Sequence, residues 1–300
     1  MADKKMYLYA PKYYREFKCI ADKCKHSCCI GWEIDVDSPA IAKYEKLDSP
    51  YKNDILSSIE YGDTPHFRMC DNGRCPHLDS RGLCKIICEV GDGYLADICR
   101  EHPRFYNQTS RGAEVGIGMA CEEACRIILK SDNYNDYVEI EEYDSNSEAE
   151  FNVIPYRERI YNQLSNQSIP YSERLKRIYE KYGVCPSNIS DECWRETISS
   201  LEYLDEAHKI LFSSYSSDIK NDSKLDLYLE RVLAYFIYRH TGSAESETEF
   251  RAALGFSLFC ERLIASISNE DNIRDICRIV SEEIEYSESN TDLIKFEFEI

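Results

Sequence analysis

Residues 17–32 read FKCIADKCKHSCCIGW and place Cys19, Cys24, Cys28 and Cys29 within eleven positions. Thiols that close together form disulfides, gather a metal, or pack as small apolar side chains, and the compartment decides first among these. The opening MADKKMYLYAPKYYREF has neither an apolar core of signal-peptide length nor a small-residue cleavage site, and no later apolar run is long enough to span a bilayer. The expectation is a cytoplasmic protein without a membrane segment. Fifteen cysteines cannot all pair, and a reducing cytosol keeps thiols free, so disulfides are the weakest of the three readings.

Three hundred residues, 43% of them hydrophobic, can build a core without help from a metal. The net charge of −19 is uneven: residues 1–130 carry 20 acidic and 19 basic side chains, residues 131–300 carry 35 and 17. An acidic second part repels phosphate backbones, which argues against nucleic acid and for a basic peptide or lysine-bearing surface as partner. The plainer alternative is a set of acidic, well-solvated helices.

Eleven of the fifteen cysteines precede residue 126, among turn signals such as DNGRC, DSRGLC and GDGY. From about residue 153 apolar residues recur at spacings of three and four, in YRERIYNQL, SERLKRIYEKYG, LEYLDEAHKILFSSY, LDLYLERVLAYFIYRH and FRAALGFSLFCERLIASI. These predict helices, with a stop at Gly183 and a start at Asp222/Ser223. The fold class is therefore mainly α, a loop-rich cysteine-rich metal domain (1–131) packed against an acidic helical domain (153–300), with 132–152 as an acidic connection. The closing Phe296-Glu297-Phe298-Glu299-Ile300 alternates and predicts a terminal strand or extended tail. The 23 tyrosines, recurring at helix spacing in the second half, read as packing residues whose hydroxyls reach water or a partner.

Thiolates on short loops suit zinc or an iron–sulfur cluster. Zinc knuckles are usually paired C-x2-C, and no such pair occurs here, which favours a cluster. Cys24 and Cys28 satisfy the first half of the radical C-x3-C-x2-C pattern, but the third position is Gly31. Adjacent Cys28 and Cys29 point apart on most backbones, so the two can serve different sites. Cys88 and Cys125 lie four residues after another cysteine and read as packing residues on a helix face, as do the isolated Cys185, Cys193, Cys260 and Cys277. His26, between Cys24 and Cys28, is the histidine best placed to replace a thiolate. The glycine-rich GAEVGIG (112–118) lacks the strand–turn–helix context of a nucleotide-type loop and reads as a turn and short strand inside the metal domain.

Tyr13, Phe17, the four opening cysteines, Gly31, Trp32, Ile34 and Asp37 follow one ordered pattern. It continues through Cys75, Leu78 and Cys84, then Gly91, Leu95, Cys99, Pro103 and Arg104, then Glu114, Cys121, Glu123, Ala124 and Arg126. Over residues 7–130 this resembles the flagellin lysine N-methylase family, within the broader group of zinc- or iron-chelating CxxCxxCC-type domains. The resemblance implies methyl transfer from S-adenosylmethionine to a lysine of a protein, flagellin among the acceptors, in an enzyme holding a 4Fe–4S cluster. It implies Cys19, Cys24, Cys28, Cys29, Cys75, Cys84, Cys99 and Cys121 as metal ligands. Neutralising the lysine amine needs desolvation or a base, for which the matched segments offer Asp35, Asp37 and Glu114. Trp32 is a candidate wall and Arg104 a candidate carboxylate contact for the cosubstrate. Asp37 also suits a helix cap, Trp32 a core position and Arg104 a structural salt bridge. The sequence departs from the family at Glu122 (proline there), at Ile98 (threonine there) and in the additional Cys70, Cys88 and Cys125. The competing reading is a metal-binding interaction or maturation protein with a structural zinc or iron–sulfur site and no turnover.

Overall fold

The structure, a computed structural model, describes residues 6–143, 149, 151–219 and 222–299. In chain order it holds β1 (Met6–Pro11), β2 (Ile34–Asp35), α1 (Ser38–Glu45), α2 (Lys52–Ser57), β3 (Ile59–Glu60), β4 (His66–Phe67), α3 (Lys85–Val90), α4 (Asp97–Glu101), β5 (Arg104–Thr109), β6 (Gly112–Ile117), α5 (Glu122–Lys130) and β7 (Tyr137–Tyr143). Helices follow: α6 (Ile154–Leu164), α7 (Tyr171–Tyr182), α8 (Asp191–Ser200), α9 (Glu206–Phe212), α10 (Asp226–Thr241), α11 (Glu247–Ile267), α12 (Ile273–Val280) and α13 (Glu288–Phe296). Helix outweighs strand, so the fold is mainly α.

The chain divides into two units, and the division cuts across the expected metal domain 1–131. Residues 18–104 and 121–123 form the thiol unit; residues up to 17, 105–120 and from 124 onward form the helical unit. GAEVGIG is a strand, but as β6 it belongs to the sheet of the helical unit rather than to the metal domain. That sheet runs β5-β6-β1-β7, with β1 parallel to β6 (Leu8 opposite Ala113) and antiparallel to β7 (Ala10 opposite Val138). The presumed connection 132–152 therefore includes an edge strand. Its Val138-Glu139-Ile140-Glu141 alternation faces carboxylates outward, which also discourages pairing with another chain.

In the helical unit α10 and α11 are buried along most of their length, and Trp194 of α8 stacks on Phe259 of α11 at 4.1 Å. Gly183, in the left-handed region at φ 65°, ends α7 as expected, because that conformation disfavours any residue with a Cβ. Three buried tyrosines donate their hydroxyls to buried carboxylates: Tyr134 to Glu230 (2.8 Å), Tyr171 to Glu261 (2.8 Å) and Tyr235 to Glu285 (2.7 Å). Part of the acidity of this half is thus internal and paired, not a solvated face. The Asp222/Ser223 start lies slightly early, since Asp222 accepts from the Lys224 N–H in a turn and α10 begins at Asp226. The expected terminal strand is wrong for the described residues. Ser287 caps α13 by accepting from the Asn290 N–H, the helix runs to Phe296, and Phe298 packs on Trp194 at 5.7 Å. Ile300 lies outside the described residues.

The thiol unit is built from short pieces around one apolar cluster that includes Ile34, Val36, Tyr44, Phe67 and Ile86. A small antiparallel sheet, β2-β4-β3, sets Ile34 and Ile59 on either side of Phe67. Helix α1 starts where Asp37 Oδ1 accepts the Ala40 N–H at 2.9 Å, the capping role that its DVDSPA context suggests. His77, buried between the Tyr51 hydroxyl (2.7 Å) and the Ser58 hydroxyl (2.8 Å), has its pKa pushed down by burial to about 4.

Candidate metal centre

The opening cysteine stretch forms no long helix because its backbone groups are spent on turns and on distant loop segments. Ala21–Lys23 make a single 3-10 turn, and the Ala21 N–H points at Cys19 Sγ (3.4 Å). The chain then turns at Gly31, whose φ of 93° is a conformation that residues with a Cβ rarely adopt. There the Gly31 N–H donates to Gly73 O (2.9 Å) and the Cys75 N–H to Cys29 O (2.8 Å), fastening the opening loop to the 70–75 turn. Leu78 bridges to Cys84, and between them Asp79 Oδ1 accepts from the Arg81 (2.8 Å) and Leu83 (2.9 Å) N–H groups. Cys99 sits on α4, held near α1 because the Asp97 N–H donates to Asp37 Oδ2 at 2.7 Å.

All eight matched cysteines lie in the thiol unit. Cys29, Cys75, Cys84 and Cys99 share the same apolar cluster. Burial pushes the Cys75 and Cys99 thiols up to about 12, and the neighbouring thiols of this group add to the rise. Cys28 and Cys29 share a hydrogen bond between their thiols. It holds Cys29 down at about 7 against the effect of burial, and it raises Cys28, which also feels Cys19 and Cys121. Burial raises Cys24 to about 11, with contributions from Glu122 and Cys121. Among the described residues no group of three or more His, Cys, Asp or Glu side chains converges on one metal ion. The sulfurs are neighbours, not a closed cage.

The donor chemistry nonetheless fits a thiophilic group. Tyr44 is fully buried against the cluster that holds Cys75, Cys84 and Cys99, and its hydroxyl has no hydrogen-bond partner among the described residues. A buried hydroxyl left unpaired costs about 1–3 kcal/mol, and a thiolate or sulfide acceptor beside it would remove that cost.

The other expected site residues are more dispersed. Asp35 and Asp37 line one cleft of the thiol unit, of about 320 Å³, together with Asp63 and Asp97; Asp35 is exposed, whereas both Asp37 oxygens already accept backbone N–H bonds. Trp32 is half-buried and donates from Nε1 to Cys28 O (2.7 Å), so it braces the cysteine loop. Arg104 donates to Arg100 O at 3.3 Å. Glu114 lies in the helical unit, wholly buried, 2.5 Å from Arg157. That pairing accounts for Glu114 without any chemistry. His26 bonds through Nδ1 to Glu122 (3.0 Å). Cys125, Cys260 and Cys277 are buried as expected of packing residues, and Cys185 and Cys193 are half-buried. Cys88 is exposed, so its packing assignment fails: its helix face points outward. Sequence reasoning missed Tyr44, Asp63, Asp97 and the positioning role of Glu122, because each acts through partners far away in the chain.

This chain is similar to the lysine-N-methylases. It is 25% identical over 126 residues to Lysine-N-methylase of Salmonella typhimurium, and equally to that of Salmonella choleraesuis (strain SC-B67). It is 26% identical over 126 residues to the Flagellar biosynthetic protein FliU of Salmonella muenchen. Each match covers 40% of this chain; it spans 31% of each lysine-N-methylase and 75% of FliU. The matched length is comparable to the span, residues 7–130, that carries the ordered cysteine pattern. No family model and no solved structure matches the chain. No helix of the described residues is long and apolar enough to cross a membrane.

Proposed function

We propose that this protein is a cytoplasmic, S-adenosylmethionine-dependent protein lysine N-methyltransferase with a thiolate-bound iron–sulfur centre, flagellin being one acceptor to test. The observation that carries the reading is the similarity to lysine-N-methylases, supported by the gathering of all eight matched thiols in one unit. The cleft lined by Asp35, Asp37, Asp63 and Asp97 suits the acceptor lysine: it is acidic, and among the described residues no Lys, Arg or His lines it. Methyl transfer requires the amine in its neutral form, in line with the sulfonium methyl group. In this reading the cleft carboxylates draw in the protonated lysine, its proton passes by way of the exposed Asp35 to solvent, and Asp37, committed to two backbone N–H groups, shapes the wall. The eight matched thiols would hold a 4Fe–4S cluster, which would supply a cysteine-anchored iron centre. Trp32, tied to the Cys28 carbonyl, holds the loop that carries the ligands.

The test is the transfer of a labelled methyl group from S-adenosylmethionine to flagellin and to a panel of lysine-bearing proteins, using anaerobically purified protein whose iron, sulfide and zinc have been measured. The expected result is methyl-lysine formed by wild-type protein and strongly reduced by Asp35→Asn. Stoichiometric zinc without iron, and no methyl transfer to any acceptor, would overturn the proposal in favour of a structural metal-binding protein.

A further inference from the structure

We infer that the helical unit carries a binding site for the zwitterionic α-amino-acid group of a small molecule, in the cavity between the end of α10 and one face of α13. Arg239 and Lys295 take the carboxylate, Glu288 and Asp292 the ammonium. The inference rests on the cavity alone and not on methyl transfer. S-adenosylmethionine, the cosubstrate of the proposed function, carries this group, and so does any free amino acid, so the test separates the two sources.

The cavity measures about 430 Å³, a volume typical of small-molecule sites, and all its lining residues belong to the helical unit. Its floor is a buried network around Glu285. That carboxylate accepts from the Tyr235 hydroxyl (2.7 Å) and the Ser281 hydroxyl, and meets His240 Nε2 at 2.9 Å and Arg239 Nε at 3.1 Å. Its acceptor sites are filled, so it holds Arg239 and His240 at the cavity and leaves the ligand to others. Glu285 ends a single π-helical turn, Ser281–Glu285, a rare conformation that concentrates at functional sites.

Arg239 lies between two rings, 4.7 Å from the Phe105 centroid and 4.6 Å from that of Tyr286. The strand GAEVGIG leaves room for this stack. A Cβ at Gly116 would collide with the Phe105 ring; one at Gly118 would collide with the Tyr286 hydroxyl and lie 2.8 Å from Arg239 Nη1. The glycine-rich string is thus bare where the arginine passes. Glu285, Tyr235 and Tyr286 engage three of the five guanidinium N–H groups, and the rest can meet a planar carboxylate.

The opposite wall comes from α13. Glu288, Asp292 and Lys295 are spaced four and three residues apart, share one face of that helix and line the cavity. None of the three has an ion-pair partner among the described residues. The charge of Lys295 reaches α10: burial holds His240 below the ordinary histidine range despite its bond to Glu285, and Arg239 and Lys295 push the same way. One cavity therefore brings together two cations and two anions with donors and acceptors to spare. A simple anion meets repulsion from Glu288 and Asp292, and a simple cation from Arg239 and Lys295. A group carrying both charges on one carbon satisfies both pairs.

The test is isothermal titration calorimetry of the full chain with the standard amino acids, S-adenosylmethionine and S-adenosylhomocysteine. An amino acid that binds is repeated as its N-acetyl and carboxamide forms, and the adenosyl compounds are compared with methylthioadenosine, which lacks the amino-acid group. Saturable binding by at least one probe is expected, weakened when either charge is masked. Lys295→Gln and Asp292→Asn should each weaken it about tenfold, the worth of one charge-assisted contact. Lys295→Gln should not weaken the carboxamide form further, nor Asp292→Asn the N-acetyl form, a selectivity that a merely structural role would not produce. Gly118→Ala, which crowds Arg239, should weaken binding too; circular dichroism shows whether it folds, and the two α13 variants carry the test without it. S-adenosylmethionine binding that follows these variants makes the cosubstrate the occupant. Binding of a free amino acid alone that follows them makes that amino acid the occupant, and the methyl-transfer assay then judges the proposed function separately. No saturable binding by any probe, or binding indifferent to charge masking and to both α13 variants, would overturn the inference. S-adenosylmethionine binding of that indifferent kind, with methyl transfer intact and no other probe responding, would overturn it while leaving the proposed function standing.

Discussion

Replacing Arg157 by methionine tests whether Glu114 is a structural or a chemical residue. The two side chains are 2% and 0% exposed and meet at 2.5 Å. Arg157 also donates to Tyr238 O (3.3 Å) and lies 5.2 Å over the Tyr238 ring. Methionine keeps length and apolar packing but strands the Glu114 carboxylate, whose Oε2 already has no partner among the described residues. Removing one member of a buried pair costs about 3–5 kcal/mol, roughly two to three and a half powers of ten in the folding equilibrium, while removing both charges together is often neutral. Arg157→Met should therefore lose that much stability, and Arg157→Met/Glu114→Leu should recover most of it. The assay is urea unfolding in a Trp32→Phe background, where the fluorescence of fully buried Trp194 reports on the helical unit that contains the pair. A single-variant loss below about 1 kcal/mol, or a double variant no more stable than the single, would refute the reasoning. A Glu114→Gln protein with unchanged stability but no methyl transfer would return Glu114 to the chemistry.

Three further outcomes follow from the same geometry. Asp37→Ala removes a helix cap and the clip to the Asp97 N–H, and should cost about 1–3 kcal/mol in a thermal melt; no change would show that neither bond matters. Tyr44→Phe deletes an unpaired buried hydroxyl, so metal-free protein should be as stable or more stable by urea titration, and a loss above about 1 kcal/mol would reveal a partner for the hydroxyl. Glu285 is held below the usual glutamate range: burial works against this, but Arg239 and the hydrogen bond from His240 outweigh it. A depressed carboxylate stabilises the fold above its unfolded value, and that stability is lost as pH falls through the lower folded value. Glu285→Gln should thus flatten the acid limb of the stability–pH curve below about pH 4.3, and an unaltered acid limb would contradict the ion-pair assignment.

The long helices were legible because a three- and four-residue apolar spacing needs only local sequence to declare a buried face, as in LDLYLERVLAYFIYRH and FRAALGFSLFCERLIASI. The closing Phe-Glu-Phe-Glu-Ile misled because five residues of alternation do not outweigh a capped helix that brings Phe298 onto Trp194. Strand β7 was hidden for the opposite reason: its Val-Glu-Ile-Glu alternation sits in an acidic stretch, and only pairing with β1, more than a hundred residues earlier, gives it a sheet.

The candidate site divides along the same line. Residue type and spacing pointed to soft-metal chemistry among the clustered cysteines, and the family resemblance picked out eight of them. Which thiols are neighbours depended on long-range hydrogen bonds, from the Cys75 N–H to Cys29 O and from the Lys25 N–H to the Glu122 carboxylate, which no local spacing encodes. Glu114 shows the same limit from the other side. Its place in an ordered motif made it a candidate base, and only the arrival of Arg157 from a distant helix made it one half of a buried ion pair, because the sign and partner of a buried charge are properties of packing.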